Sequence, residues 1–290
     1  MTRQEFQNLC QTPVLLDGAT GSNLMAAGMP KGISTELWVL EHPDIIHELQ
    51  AAYTDAGSQI LYAPTFGANR INLTRHHLED RIQELNTTLV QYTKKAACGK
   101  ALTAGDVTTT GQMMEPFGNL TYEEAFSAYQ EQITLLAEAG ADLIVIETMI
   151  HVGETCAALD AAHAACDLPI MCSMTVEADG NIFTGGNIKD AASTLEAAGA
   201  DAVGINCSVG PEQLESIIRS IHSAVSIPVL AKPNAGMPVI TDDGQASYQM
   251  KPETFARHMK ILKESGASLL GGCCGTTPAF IKALKQILEE

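Results

Sequence analysis

The chain has 290 residues, of which 46% are hydrophobic and 18% charged, a balance typical of a globular protein with a large core. Its 17 basic and 34 acidic residues give a formal net charge of −17, which argues against a nucleic acid or an anionic membrane surface as a partner. The first residues lack the apolar stretch of a signal peptide, and no run reaches the roughly 20 apolar residues of a membrane span, so we expect a cytoplasmic protein whose cysteines are free thiols, metal ligands or core residues.

Four segments of the chain share one pattern, in which an amphipathic helix ends at a glycine and an apolar strand follows at once. These segments are 53–64, 136–147, 195–206 and 262–273. Glycine can adopt the left-handed backbone that closes a helix, and a continuously apolar strand is typical of a parallel sheet buried on both faces. The repeat therefore predicts successive units of helix and parallel strand.

The stretches between the repeats supply further units, so that eight strands alternate with eight helices. The predicted strands lie near 13–18, 59–66, 100–107, 142–148, 169–176, 202–208, 228–234 and 268–273. The predicted helices lie at 41–56, 74–99, 121–139, 151–166, 189–198, 211–224, 252–264 and 277–289, and Thr121 is expected to cap one of them. This alternation predicts a (β/α)8 TIM barrel that forms a single domain over residues 1–290. An open doubly wound sheet is the alternative, but no Gly-x-Gly-x-x-Gly turn follows the first strand.

Three cysteines follow predicted strands at the end of a barrel where functional residues collect. Cys207 ends the sixth strand, and Cys273 and Cys274 end the eighth, so only one strand separates them. Three converging thiolates require a cation, and zinc suits soft thiolate ligands and leaves a fourth position for a substrate. Adjacent strand residues point in opposite directions, so both Cys273 and Cys274 can reach one metal only where glycines bend the chain. The alternative is that these cysteines are small core residues, which is our interpretation of the remaining five.

Other polar positions follow strands as well. The segment Asp17-Gly18-Ala19-Thr20-Gly21 can present backbone N–H groups to an anion such as a substrate carboxylate. Glu147 ends the fourth strand and is either a substrate-binding residue or a partner for Lys232 or Arg70.

Two segments are interpreted as loops. The segment 113–117 is expected to pack on the barrel, and the segment 235–250, with Gly236, Asp242 and Asp243, is typical of an active-site loop.

These motifs together resemble the homocysteine S-methyltransferases, most closely the homocysteine-binding module of cobalamin-dependent methionine synthases. The resemblance covers nearly the whole chain and rests on the motifs Asp17-Gly18-Ala19-Thr20-Gly21, Glu147-Thr148, Asn206-Cys207-Ser208, Pro233-Asn234-Ala235-Gly236 and Gly271-Gly272-Cys273-Cys274-Gly275-Thr276. It implies that zinc is bound by Cys207, Cys273 and Cys274, with Asn234 as a candidate fourth ligand when substrate is absent. It also implies that homocysteine contacts the set Asp17, Gly18, Ala19, Thr20, Glu147 and Asn206.

The resemblance implies a reaction in which zinc-bound homocysteine thiolate attacks an electrophilic methyl group and forms methionine. The chain lacks an Asp-x-His-x-x-Gly corrinoid motif, so we expect a separate methyl-corrinoid protein to supply methylcobalamin. S-Methylmethionine or S-adenosylmethionine is the second candidate donor and betaine the third, and selenohomocysteine or another small thiol is an alternative acceptor. Hypotheses of other classes are a Schiff-base aldolase that uses Lys232 and a non-catalytic protein that binds zinc or a corrinoid partner.

Overall fold

Short parallel strands form the centre of the molecule in this computed structural model, which describes residues 1–240 and 246–290. The strands are β1 (Val14–Leu15), β2 (Ile60–Tyr62), β3 (Leu102–Val107), β4 (Leu143–Met149), β5 (Ile170–Met174), β6 (Ala202–Cys207), β7 (Val229–Pro233), β8 (Val239–Ile240), β9 (Ala246–Ser247) and β10 (Ala267–Leu270). Eight of the described strands form one parallel sheet in the order β1-β10-β7-β6-β5-β4-β3-β2, while β8 and β9 form a separate antiparallel hairpin. A parallel bridge between Leu16 and Ile60 joins the two ends of the sheet, so the predicted barrel is confirmed.

The helices surround this barrel. They are α1 (Arg3–Leu9), α2 (Gly21–Ala26), α3 (Thr35–Glu41), α4 (Pro43–Ala56), α5 (Arg70–Thr74), α6 (Ile82–Ala97), α7 (Tyr122–Glu138), α8 (Val152–Ala165), α9 (Ile188–Ala197), α10 (Glu215–His222), α11 (Pro252–Glu264) and α12 (Pro278–Glu289), with 3-10 turns at Glu79–Arg81 and Pro211–Gln213. Each predicted helix has a counterpart, although α4, α6 and α10 begin two or more residues later than expected. The sequence did not indicate α1, α2, α3 or α5. None of the described helices combines the length and the apolar composition needed to cross a membrane.

Local signals explain where several of these helices begin and end. The Thr121 side chain accepts the Glu124 N–H while the Glu124 carboxylate accepts the Thr121 N–H, which is a capping box at the start of α7. The glycine of each repeat copy has positive φ, from 87° at Gly140 to 115° at Gly266. The helix-ending role predicted for the repeat glycines is therefore confirmed.

The barrel interior is filled by inward-facing residues of alternate strand positions. The apolar part of this interior comprises Phe6, Val14, Leu16, Ile60, Tyr62, Ala104, Leu143, Val145, Met171, Ala202, Leu230 and Leu269. Phe6 comes from α1 and is fully buried among the strand residues, so α1 covers the amino-terminal end of the barrel. A larger apolar cluster lies between the strands and the surrounding helices. The carboxyl-terminal end of the barrel carries the polar residues predicted to be functional.

The strand ends at this mouth differ from the prediction in detail. The eighth barrel strand ends at Leu270, three residues before the predicted end, so Cys273 and Cys274 lie beyond it in a turn. Asp242 and Asp243 of the predicted active-site loop lie outside the described residues.

Candidate metal centre and substrate pocket at the barrel mouth

Three thiols converge where β6 and β10 reach the mouth. The Sγ atoms of Cys207, Cys273 and Cys274 all lie within 4.8 Å of one another, and those of Cys207 and Cys274 are 3.8 Å apart. As expected, β7 is the one strand between them. No other group of three potential metal ligands lies this close together within residues 1–240 and 246–290.

The convergence depends on an unusual backbone. Cys207 and Ser208 both adopt left-handed conformations, with φ of 56° and 62°, which turn the chain sharply at the end of β6. Gly275 has φ of 81°, and a Cβ atom there would lie 2.3 Å from the Tyr248 ring. The glycine therefore both turns the chain after Cys274 and lets Tyr248 pack against the turn. The predicted bend at the adjacent cysteines is confirmed.

The spacing and charge of the thiols fit one tetrahedral metal ion. Ligands about 2.3 Å from a tetrahedral zinc ion are about 3.8 Å apart, which matches the distance from Cys207 to Cys274 and is far longer than a disulfide bond. Hydrogen bonds from Cys207 and then Cys273 lower the pKa of the Cys274 thiol to about 3, while the hydrogen bond with Cys273 raises the pKa of the Cys207 thiol. Without a cation, these shifts favour the thiolate of Cys274 and the protonated thiol of Cys207. Ionisation of all three thiols therefore requires a positive charge between them.

A buried amide lies beside the thiol-bearing segments. Asn234 is 5% exposed, its Nδ2 donates to the Ser208 carbonyl oxygen at 3.2 Å, and its Oδ1 has no hydrogen-bond partner within the described part of the chain. The N–H of the next residue, Ala235, donates to the Cys274 carbonyl oxygen at 2.9 Å. This oxygen is therefore available as a metal ligand, and the assignment of Asn234 as the fourth ligand stays a prediction.

Glu147 lies at the end of β4, inside the mouth, and is 7% exposed. Burial, opposed by Lys232 and reinforced by Cys273 and Asp17, raises the pKa of the Glu147 carboxyl to about 8. The predicted pairing with Arg70 is wrong, because Arg70 forms a two-pronged ion pair with Glu131 on the outer surface.

Asn206 supports the end of β4 rather than facing an open pocket. Its Oδ1 accepts the Thr148 N–H at 2.8 Å and the Ser173 hydroxyl at 2.9 Å, and its Nδ2 donates to the Thr148 hydroxyl at 2.7 Å. Thr148 has φ of 58°, which is unfavourable for a β-branched residue. Asn206 is 1% exposed and holds this strained residue, which indicates a positioning role, while its predicted substrate contact stays a prediction.

Asp17 and Lys232 form a buried ion pair below the thiols. Lys232 Nζ lies 3.1 Å from Asp17 Oδ1 and 4.3 Å from the centre of the Tyr62 ring, while the Tyr62 N–H donates to Asp17 Oδ2. Burial lowers the pKa of Lys232, but the carboxylates of Asp17 and Glu147 outweigh it and hold the ammonium protonated. A Schiff-base lysine must lose this proton, so the geometry disfavours the aldolase hypothesis.

The glycine-rich segment after β1 is held in place by neighbours that the sequence did not reveal. A Cβ atom on Gly18 would lie 2.5 Å from the Tyr53 hydroxyl, so only glycine fits there. The Ala19 N–H donates to the Thr276 hydroxyl at 3.0 Å and is therefore occupied. The N–H groups of Gly18 and Thr20 donate to no acceptor among the described residues, and these two remain as candidate anion-binding groups.

Exposed apolar side chains surround the mouth. Large hydrophobic side chains that are exposed in the described part of the chain all follow the carboxyl end of a barrel strand, with the exception of Ile261. They are Met25, Ile33, Phe66, Met113, Phe117, Tyr122, Phe183, Met237 and Val239. The segment 113–117 was predicted to pack on the barrel, but only Met114 is buried within it, while Phe117 is 80% exposed.

The barrel with three thiols at its carboxyl-terminal mouth defines a (β/α)8 protein with a candidate soft-metal centre. Its architecture is similar to that of the homocysteine methyltransferase MmuM from Escherichia coli in its metallated form, with a TM-score of 0.81, 24% identity and coverage of 98% of this chain and 99% of that one. The oxidized form of the same protein gives a TM-score of 0.80 over 94% of this chain and 95% of that one, also at 24% identity. At this level of identity the likeness concerns the fold.

Sequence comparison identifies the family. The chain belongs to the homocysteine S-methyltransferase family, whose model matches residues 14–288. It is 30% identical over 292 residues to methionine synthase of Mycobacterium tuberculosis and 29% identical over 296 residues to methionine synthase of Mycobacterium leprae. These alignments cover 94% and 96% of this chain but 24% of each relative, so the chain spans about a quarter of their length.

Proposed function

We propose that this chain is a zinc-dependent homocysteine S-methyltransferase that forms methionine. The observation that carries the proposal is the convergence of three Sγ atoms within 4.8 Å at the barrel mouth. Cys207, Cys273 and Cys274 would hold the metal, and the unpartnered Oδ1 of Asn234 would complete the site before substrate binds. When bound, zinc would lower the pKa of the substrate thiol, so that its nucleophilic thiolate exists at neutral pH.

The buried residues below the thiols would hold the amino-acid end of homocysteine. The Glu147 carboxyl is buried, and within residues 1–240 and 246–290 it hydrogen-bonds only to Asn206, at 3.4 Å, so it is available to the substrate ammonium group. The open N–H groups of Gly18 and Thr20 are suited to the carboxylate. The Asp17–Lys232 pair would position β1 and β7 around this pocket. Asp17 follows β1 and Lys232 lies on β7, so their ion pair joins the two strand ends.

We further propose that the methyl group arrives on a corrinoid protein. The exposed apolar side chains around the mouth, which form its rim, support this donor. A small sulfonium or betaine donor needs no extended contact surface, whereas a corrin macrocycle and its protein would cover such a surface. The similarity to methionine synthases supports the same choice.

The rim can be tested with free donors. Phe117→Ser is expected to raise KM for methylcobalamin but not for S-methylmethionine. Ile261→Ser is the matched control, because Ile261 is exposed outside the mouth. An equal effect of Phe117→Ser on both donors would contradict the role of the rim.

The central experiment measures bound zinc by elemental analysis and methionine formation from homocysteine. Methylcobalamin, S-methylmethionine, S-adenosylmethionine and betaine are compared as methyl sources. Cys274→Ser should lose zinc and activity together while its circular dichroism spectrum is retained. Cys166→Ser, which changes a half-buried thiol outside the cluster, should keep both. Full activity in zinc-free protein would refute the proposal.

A further inference from the structure

Strained backbone collects at the ends of two barrel strands. Thr148 at the end of β4 and Cys207 and Ser208 at the end of β6 have positive φ, from 56° to 62°. Across the described residues, two other non-glycine positions have positive φ, His77 and Cys98. A side chain in left-handed backbone costs free energy and persists only where neighbouring contacts hold it, and such residues are concentrated at functional sites. The contacts that hold the three strained residues therefore indicate what the strain serves.

One amide group holds the strained end of β4. The Asn206 side chain accepts the Thr148 N–H at 2.8 Å and donates to the Thr148 hydroxyl at 2.7 Å. It also accepts the Ser173 hydroxyl at 2.9 Å and donates to Glu147 Oε2 at 3.4 Å. These four hydrogen bonds use both acceptor positions and both donor hydrogens of the amide. Asn206 therefore acts on Thr148 and Glu147 together and fixes the backbone from which the Glu147 side chain projects.

The main chain of the same residue holds the turn at the thiol. The Asn206 carbonyl oxygen accepts the Ser208 hydroxyl at 3.0 Å and the Thr175 hydroxyl at 3.4 Å. The Ser208 hydroxyl in turn accepts the Val176 N–H at 2.9 Å. Cys207 lies between Asn206 and Ser208, so these contacts with the residues that follow β5 lock the turn that brings its Sγ to the other thiols.

Asn206 thus joins the two parts of the site. Its side chain sets the end of β4, and its main chain sets the thiol-bearing end of β6. The strand between them, β5, pairs with both, so the barrel itself fixes the separation between the Glu147 carboxyl and the thiol cluster. An amino-acid thiol that reaches both ends must match this separation. One methylene group more or less misplaces one end, and a misplacement of about 1 Å can cost about 100-fold in rate.

We propose that Asn206 is a positioning residue that fixes the span between the thiol cluster and Glu147, and that this span selects the chain length of the thiol amino acid. Homocysteine fits the span, whereas cysteine is one methylene group too short and 2-amino-5-mercaptopentanoate is one too long. This inference rests on the proposed function, which takes homocysteine as the acceptor and Glu147 as the contact for its amino-acid end.

Asn206→Ala separates the two roles of this residue, because it removes the side chain that holds β4 but keeps the carbonyl oxygen that holds the thiol turn. Calorimetry on the zinc-loaded full chain measures the binding of the three amino-acid thiols and of 2-mercaptoethanol, which has no amino-acid end. We expect the variant to keep its zinc and its affinity for 2-mercaptoethanol. Its affinity for homocysteine should fall by about 10- to 100-fold, as for loss of a partner that orients a binding residue. The affinities for the shorter and longer thiols should fall much less, so that the preference for homocysteine disappears.

Asn86→Ala is the matched control, since Asn86 is a buried asparagine of α6 that donates to the Ala68 and Ile82 carbonyl oxygens. It should leave the order of affinities unchanged. In Asn206→Ala, an equal loss for every thiol or a loss of zinc would show a purely structural role and overturn the inference.

Ser173→Ala decides the question if Asn206→Ala fails to fold, because it removes one hydrogen bond to the Asn206 amide and leaves Asn206 in place. It should weaken the preference for homocysteine in the same direction and to a smaller degree, and an unchanged preference would overturn the inference. Equal affinity of the wild-type protein for the three amino-acid thiols would also overturn it. Length-selective binding without methyl transfer from any donor would instead overturn the proposed function and leave the inference standing.

Discussion

Glu147→Gln separates the two interpretations of the buried carboxyl group at the end of β4. If Glu147 binds a substrate ammonium group, the substrate-free protein buries this carboxyl group without a compensating cation, which lowers its free energy of unfolding. If Glu147 is instead an ion-pair partner of Lys232, the carboxylate stabilises the fold. The neutral, nearly isosteric glutamine removes the charge in both cases, so the sign of the change in stability distinguishes them.

The expected magnitude follows from the pKa of Glu147, which burial raises to about 8. An unfolded glutamate has a pKa of about 4.3, and each pH unit between the two values corresponds to about 1.4 kcal/mol. Because the folded pKa is the higher one, the wild-type free energy of unfolding is greatest below the unfolded pKa and declines as pH rises towards 8. At pH 7 this loss amounts to about 3 to 4 kcal/mol. Glu147→Gln has no carboxyl group to ionise at this position. Its free energy of unfolding should therefore exceed that of the wild type by about this amount at pH 7 and by little at pH 4.

Urea denaturation of the zinc-loaded, substrate-free proteins between pH 4 and pH 8 measures this difference. Glu154→Gln is the contrasting variant, because the Glu154 carboxylate accepts hydrogen bonds from Thr109, Thr110 and Tyr129 and should destabilise the protein when it is lost. Glu147→Gln should also raise KM for homocysteine. A variant less stable than the wild type at pH 7 would refute the reasoning and identify Glu147 as a structural partner of Lys232.

Three further substitutions test the supports of the site. Lys232→Met leaves a buried carboxylate without its cation and should lower the free energy of unfolding at pH 7 by about 3 to 5 kcal/mol in urea denaturation; an unchanged midpoint would contradict the ion pair. Gly18→Ala brings a Cβ atom 2.5 Å from the Tyr53 hydroxyl and should cost about 1 to 3 kcal/mol, whereas Gly21→Ala, with nothing within 4 Å, should be tolerated in the same thermal melts. Tyr248→Phe removes a hydroxyl that, after Cys207 and Cys273, helps to lower the pKa of the Cys274 thiol, and the change should weaken zinc binding about tenfold in chelator competition; equal affinity would exclude that role.

The sequence predicted the barrel and its thiols because those signals are local or strongly patterned. The repeat glycines mark helix ends wherever they occur, and adjacent cysteines between glycines are unusual enough to indicate a metal site. The Thr121 cap is likewise contained within four residues of chain.

The missed features depend on residues brought together from distant segments. Asp106 is a single aspartate in an apolar strand, and nothing beside it in the sequence indicates that Glu147 is its neighbour. Tyr248 lies within the predicted active-site loop, but only folding brings its ring onto Gly275. The hydrogen bond that Asn206 makes with the strained Thr148 depends on the backbone angles of the folded chain, which the sequence does not show.

The plug that Phe6 makes at the amino-terminal end of the barrel has a kinetic consequence. Because that end is filled, the thiol cluster is reached from the opposite end of the barrel. Under the proposed function, a bulky methyl carrier that covers this opening would trap the amino acid beneath it. Turnover with such a carrier would then follow a compulsory order, in which homocysteine binds first and methionine leaves last.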